Sequence, residues 1–340
     1  MIYKFCFLFI LLLGCQGNKN SKSESHKTNS EIQYEVNVSK YLMGTIVDVK
    51  ALHPNVNECK KSLYFAFKEM ERIENLLSSH KPESEISQIN LNSGIEPQKV
   101  SFETFSILQR AKKYSEKFDG KFDVTIGVIS EIWGFSGESE ARIPNPKELN
   151  SALKLVSYKN IVLNETDTTA FLTKKGMRID LGGIAKGYAI DKAVEVLREN
   201  GVQNFLLNAG GDIFVSGEKA EKLWSVGIKH PREVENLIAK LELKDLAIAT
   251  SGDYERYFEK DGKRFHHILN PETGFPSDLC QSVSVIAETA EEADVLATYI
   301  FLIGKETKFK NYFLVDSSSE IHFDKNLQAK FSLELLSSEK

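Results

Sequence analysis

Residues 178–191 read R-I-D-L-G-G-I-A-K-G-Y-A-I-D. An aspartate closes a short apolar stub, and glycines and a lysine then open a helix. A strand end, a tight turn and a helix start form a common seat for a phosphate. Two standard versions of that seat fail on spacing. The dinucleotide fingerprint needs G-x-G-x-x-G, whereas the glycines here stand at 182, 183 and 187. The P-loop needs G-x-x-x-x-G-K-S/T. Gly182 and Gly187 have that separation, but Tyr188 and Ala189 follow where a lysine and a hydroxyl belong. A helix starting at Ile184 still offers unpaired N–H groups and a partial positive charge, and Lys186 adds a full one. Glycines let a ligand approach the backbone closely. The same residues also suit a tight connection that binds nothing, and on this stretch alone both readings stand.

Working outward, the helix 184–199 carries Ile190, Ala193, Val194 and Leu197 on one side, and Gly201 follows where a left-handed cap is usual. Strands are expected at 41–50, 203–207, 212–216, 223–229, 241–249, 281–287 and 311–315. Helices are expected at 59–77, 102–117 and 290–303, the last opened by a Thr289/Glu292 capping box. The Gly-, Ser-, Pro- and Glu-rich stretch 136–150 reads as a loop. Strand runs separated by hairpin-sized turns give an α+β fold, antiparallel sheet with helices packed on it, rather than a doubly wound sheet.

The whole chain has 340 residues, 41% hydrophobic and 27% charged, with a net charge of −5. An acidic balance without a basic run argues against nucleic acid as a partner. No repeat of solenoid or propeller length is present. Of four cysteines, Cys6, Cys15, Cys59 and Cys280, none forms a C-x-x-C, so there is no zinc framework. Whether Cys59 and Cys280 pair is open. Lys4 and the apolar run 5–13 read as a signal peptide, too short to span a bilayer. It ends in L-L-G-C, which resembles the bacterial lipobox, so Cys15 is the expected acylated residue of a membrane lipoprotein facing the periplasm or cell exterior. Residues 16–30 lack large apolar side chains and read as a tether. The expected division is a signal peptide at 1–14, a lipidated tether at 15–30 and one domain at 31–335.

Three further polar, glycine-bearing turns stand at strand ends: N-A-G-G-D-I (208–213), A-T-S-G-D-Y-E-R-Y-F (249–258) and H-H-I-L-N-P-E-T-G-F-P (266–276). Asp294 and Thr298 lie four apart on an otherwise apolar helix, hence on one face. Burying both is costly unless they are satisfied. A hard cation with oxygen ligands would do so. A solvent-edge aspartate and a threonine bonded to its own helix remain the alternative.

Taken together, Y-L-M-G-T (41–45), S-E-I-S-Q-I-N (84–90), G-K-F-D-V-T-I-G (120–127), I-W-G-F (132–135), D-L-G-G-I-A-K-G-Y-A-I-D (180–191), N-A-G-G-D-I, T-S-G-D-Y (250–254), H-I-L-N-P-E-T-G (267–274) and A-D-V-L-A-T (293–298) occur in order. In this the chain resembles the ApbE family of FAD:protein FMN transferases, over about 31–305. The resemblance implies a single ApbE-like, T-fold-like catalytic domain. It implies magnesium-dependent cleavage of FAD at its diphosphate. The FMN half passes to a Thr or Ser hydroxyl of a target protein, and AMP leaves. By motif matching, the carbonyl of Gly183, Asp294 and Thr298 are the metal ligands. Met43, His80, Lys121, Phe122, Asp123, Asp180, Lys186 and Ile268 contact FAD, and His267 is the residue required for transfer. His80 replaces a tyrosine common in relatives, and Asn270 replaces an aspartate. The implied acceptor carries a D-G-x-S/T-G-A-S/T-like segment. This chain has none, so self-modification is not expected. Hydrolysis of FAD to FMN and AMP, and flavin binding without chemistry, are the competing readings.

Overall fold

In the computed structural model, which describes residues 32–136, 140–233 and 235–336, the chain enters through a hairpin. The leader, the tether and Cys15 lie outside the described residues. Strands β1 (Tyr34–Leu42) and β2 (Thr45–His53) pair antiparallel. Met43 and Gly44 connect them, both at positive φ, 53° and 72°. Two-residue turns with positive φ match the twist of paired strands. The expected single strand 41–50 is therefore two strand ends and a turn, disguised by a methionine at a position that favours Gly or Asn.

Helix α1 (Val56–Leu77) starts earlier than expected because Asn55 caps it, accepting from the N–H groups of Asn57 and Glu58. The short α2 (Glu85–Leu91) and β3 (Gln98–Lys99) lead to α3 (Phe102–Lys117), which matches its expected span. Next come α4 (Gly127–Trp133) and α5 (Pro146–Leu153). The latter begins inside the stretch read as loop, capped by Asn145 with Pro146 at the first helical position. Strands β4 (Ile161–Asn164) and β5 (Thr169–Leu172) form a small sheet with β3. Helix α6 (Ala185–Glu199) ends before Gly201, whose φ of 83° is the expected left-handed cap.

Then follow β6 (Asn204–Ala209), β7 (Asp212–Ser216), β8 (Trp224–Lys229), β9 (Leu237–Leu243) and β10 (Leu246–Gly252). The run 241–249, read as one strand, breaks at Lys244–Asp245, with Asp245 at φ 51°. The turn carries the chain from one sheet to another. After β11 (Tyr257–Lys260) and β12 (Lys263–His266) come β13 (Cys280–Ala287), α7 (Ala290–Ile303), β14 (Tyr312–Asp316), β15 (Ile321–Phe323), α8 (Asn326–Phe331) and β16 (Glu334–Leu335).

The main sheet has eight strands in the order β1-β2-β6-β7-β10-β13-β14-β15, every neighbouring pair antiparallel. The expected α+β class with antiparallel sheet is what forms. Strand pleating sends Ala247 and Ala249 of β10, and Val283 and Val285 of β13, to the core under α1, α3, α6 and α7. Ile248 and Ile286 point the other way, onto β8, β9 and α8. Strands covered on both faces read as continuous apolar runs rather than alternation. Each fully buried Phe, Leu or Ile, such as Phe205 and Phe301, stabilises by roughly 1.5–3 kcal/mol. A third cluster around Trp133 joins α4 and α5 to the loop after β12, where the indole N–H donates to the Gly274 carbonyl at 2.8 Å. Cys59 and Cys280 are both free and buried. Among the described residues no helix is long and apolar enough to cross a membrane.

Candidate active site

The opening stretch proves to be the seam between two helices. Gly187 lies on α6 against the start of α7, and a Cβ there would stand 2.3 Å from the Ala290 carbonyl oxygen. Asp191, the last residue of the stretch, accepts from the Ala290 and Glu291 N–H groups at 2.7 and 2.9 Å. Thr289 accepts from Glu292 N–H, so three donors at the start of α7 are satisfied. Of the expected capping box the Thr289 half forms, and Asp191 adds acceptors for the first two N–H groups of the helix. Gly187→Ala should therefore force the helices apart, at about 1–3 kcal/mol for overpacking of this kind. The expected result is a melting midpoint lower by a few degrees together with weaker magnesium binding. An unchanged midpoint would refute the packing role.

This seam holds α7 so that Asp294 and Thr298 face the 180–187 turn. Asp294 is buried and accepts from Gly187 N–H at 3.1 Å. Burial, and then the charge of Asp212, push its carboxyl up to about 8, against the pull of Lys186 and the Gly187 N–H. Thr298 Oγ1 lies 3.3 Å from Ser251 Oγ, and a Cβ on Gly183 would come within 3.2 Å of it. Gly183, Asp294 and Thr298 thus line one cavity, together with Lys186 and His267. A carboxylate, a hydroxyl and a backbone carbonyl are oxygen donors suited to a hard cation, and a cation would favour the ionised form of Asp294 that burial and Asp212 disfavour. The residues fit magnesium on that ground. A separate group of ligand-type side chains, Asp316, Glu320 and His322, sits on the β14–β15 hairpin. There Asp316 is already bonded to the Ser318 and Glu320 N–H groups and to His322.

Lys186 faces a carboxylate that the sequence did not single out. Its Nζ stands 2.9 Å from Oδ2 of Asp212, which is 1% exposed. The lysine is the polar partner of this buried oxygen. Oδ1 accepts from Thr250 N–H at 3.1 Å. Burial pulls the lysine down, but Asp212 and Asp294 outweigh it and hold the ammonium charged. The backbone differs from expectation. The N–H groups of Ile184 and Ala185 donate to the Leu181 carbonyl, Gly182 to Asp180 and Gly187 to Asp294. Most donors expected to cradle a phosphate are thus taken, and the turn contributes chiefly Lys186 and the Gly183 carbonyl.

The two adjacent histidines separate cleanly. His266 is buried, with Nε2 2.7 Å from the Ser277 carbonyl and Nδ1 accepting from Ile268 N–H. His267 lines the cavity, with Nδ1 3.3 Å from the Arg256 carbonyl. Part of its ring stays open to the cavity, although protein packs densely around it. That packing, followed by the charge of Arg256, lowers its pKa to about 3, so the imidazole is neutral. A neutral imidazole is the form a general base requires.

Met43, at the hairpin turn, lines the same cavity as Phe122, Asp180 and Ile268, and exposed His80 stands after α1 at its wall. Asp123 lines it too, but its carboxylate is committed. It accepts from Thr125 N–H and Oγ1 and from Tyr158 N–H, at 2.7–2.8 Å, which fixes the loop before α4. Lys121 is not among the lining residues. It pairs with Glu272 at 2.5 Å. Asn270 shapes the 270–274 turn, accepting from Glu272 N–H. Asp212, Ser251 and Arg256 join this neighbourhood without a sequence signal of their own, although each lies in one of the polar, glycine-bearing turns. An aspartate after Gly-Gly and an arginine in a charged run look like turn and solvated surface until the strands place them.

The cavity holds about 600 Å³, in the range of small-molecule and cofactor sites. The model of the ApbE family matches residues 43–313. The FAD:protein FMN transferase of Klebsiella pneumoniae (strain 342) is 38% identical over 244 residues, 71% of this chain and 75% of that one. That of Treponema pallidum (strain Nichols) is 32% identical over 289 residues, 80% of each. The crystal structure of the ApbE protein from Thermotoga maritima has a TM-score of 0.81 at 34% identity, covering 87% of this chain and 99% of that one. The flavin transferase ApbE from Vibrio cholerae gives 0.78 at 26%, with the same coverage. A cavity built on this seam, in this fold, is that of a transferase. The chain belongs to the ApbE family.

Proposed function

We propose that the chain transfers the FMN half of FAD onto a Thr or Ser hydroxyl of a target protein, with magnesium, releasing AMP. The observation that carries this reading is the meeting of His267, Lys186 and the Gly183–Asp294–Thr298 oxygen set in one cavity. Lys186 brings a fixed positive charge to the diphosphate. Phe122, Met43 and Ile268 offer apolar surface to the flavin, beside His80. His267 accepts the proton of the incoming hydroxyl as its oxygen bonds to the FMN phosphorus. Magnesium, held by Asp294, Thr298 and the Gly183 carbonyl, would neutralise charge on the diphosphate. Incubation with FAD, magnesium and an acceptor carrying the D-G-x-S/T-G-A-S/T-like segment, read by intact mass, tests this. The acceptor should gain FMN less water while AMP accumulates. Free FMN and AMP with no mass gain would mean water is the acceptor instead.

The site is proposed to work outside the cytoplasm, tethered through a lipid on Cys15. The short apolar leader and L-L-G-C support that reading. Cys15→Ala should move the protein from the detergent phase to the aqueous phase with its folded domain unchanged. Unaltered partition would overturn the anchor.

A further inference from the structure

Three Lys or Arg side chains line the cavity: Lys81, Lys186 and Arg256. Lys81 pairs with Glu74 at 3.1 Å, and Lys186 with Asp212 at 2.9 Å. Among the described residues Arg256 has no side-chain hydrogen bond or ion pair. Its position is nonetheless defined. Its backbone carbonyl accepts from His267 N–H at 3.1 Å, in the irregular segment between β10 and β11. Its guanidinium reaches the β1–β2 turn, where a Cβ on Gly44 would stand 3.1 Å from Nη2. The absence of a side chain on Gly44, at φ 72°, leaves that space open. The cavity thus has an uncommitted planar cation beside the proposed base.

We propose that Arg256 binds the diphosphate of FAD and stays on the phosphate of AMP as it leaves; this rests on the flavin-transfer reading above. In the step, the acceptor O–H proton goes to His267 and a new O–P bond forms at the FMN phosphorus. The P–O bond to AMP breaks, and its electron pair stays on the AMP phosphate oxygen. Negative charge grows there. Lys186 is shared with Asp212 and Asp294, whereas Arg256 has all its donors available, in a fork that matches phosphate oxygens. Phosphate on Arg256 also cancels the charge that helps to depress His267, so the base strengthens when substrate is present.

Calorimetric titration of the wild type, Arg256→Gln and Arg256→Lys with FAD, ADP and riboflavin tests the assignment. Arg256 is exposed and its side chain holds no other element, so both variants should keep the wild-type melting midpoint. For Arg256→Gln, affinity for FAD and ADP should fall about 10–100-fold, as for a lost charge-assisted contact. Riboflavin binding should be unchanged, and Arg256→Lys should recover part of the loss. ADP binding equal to wild type would overturn the proposal. So would a rise in acceptor KM with ADP affinity intact, which would turn Arg256 toward the target protein. If the wild type itself binds neither FAD nor ADP, the flavin-transfer reading falls, rather than the role of Arg256 within it.

Discussion

Asp294→Ala is expected to lose magnesium-dependent FMN transfer, with turnover falling on the order of 10³-fold or more. Cation stabilisation of a reacting phosphate contributes several kcal/mol, and each 1.36 kcal/mol is tenfold in rate. Asp294 is the only charged member of the proposed ligand set, so Thr298 and the Gly183 carbonyl cannot compensate. The side chain is buried at a cavity wall, and removing a carboxylate that its surroundings push up to about 8 should not unfold the protein. FAD should still bind, more weakly, through Lys186 and the apolar wall. Rates measured across a magnesium series, with FAD affinity measured separately, divide the two effects. Wild-type turnover in this variant would remove Asp294 from the metal set.

His267→Ala should keep FAD and magnesium binding yet lose about 10²–10⁴-fold in transfer, the usual contribution of a positioned general base. The sign of its pH dependence follows from its surroundings. The neutral ring is the active form, and burial with Arg256 lowers its pKa to about 3. Activity due to this group is thus retained as pH falls through the ordinary histidine range near 6.5 and is lost only well below it. kcat/KM for the wild type, which reports the free enzyme, should show no half-loss at about pH 6.5. A limb there that vanishes in His267→Ala would contradict the depressed value. Transfer by the alanine variant at the wild-type rate would show that another group takes the proton.

What could be read from the sequence followed the strength of local signals. Helices 102–117 and 290–303 were legible because apolar residues recur through each and a hydroxyl caps each start, Ser101 and Thr289. Asp294 and Thr298 were legible because four-residue spacing fixes a shared face on any helix. The turns at Met43–Gly44 and Lys244–Asp245 were not, since each is only two residues long and strand-forming residues resume directly on either side. Asp212 escaped because its partner, Lys186, is near only after α6 packs against β7. His266 and His267 are chemically identical in sequence, and only the surrounding bonds tell the structural one from the one facing the cavity. The glycines of the opening stretch carried both meanings at once. Gly183 faces the site, and Gly187 serves packing.

The bond from Gly187 N–H to Asp294 has a use in the laboratory. An amide proton held by a carboxylate is sensitive to what else that carboxylate binds. Magnetic resonance of selectively labelled glycine would therefore follow one signal, that of Gly187, as cation is added with no flavin present. Under the proposed ligand set, that amide would report cation loading from the backbone, where no mutation is needed to read it.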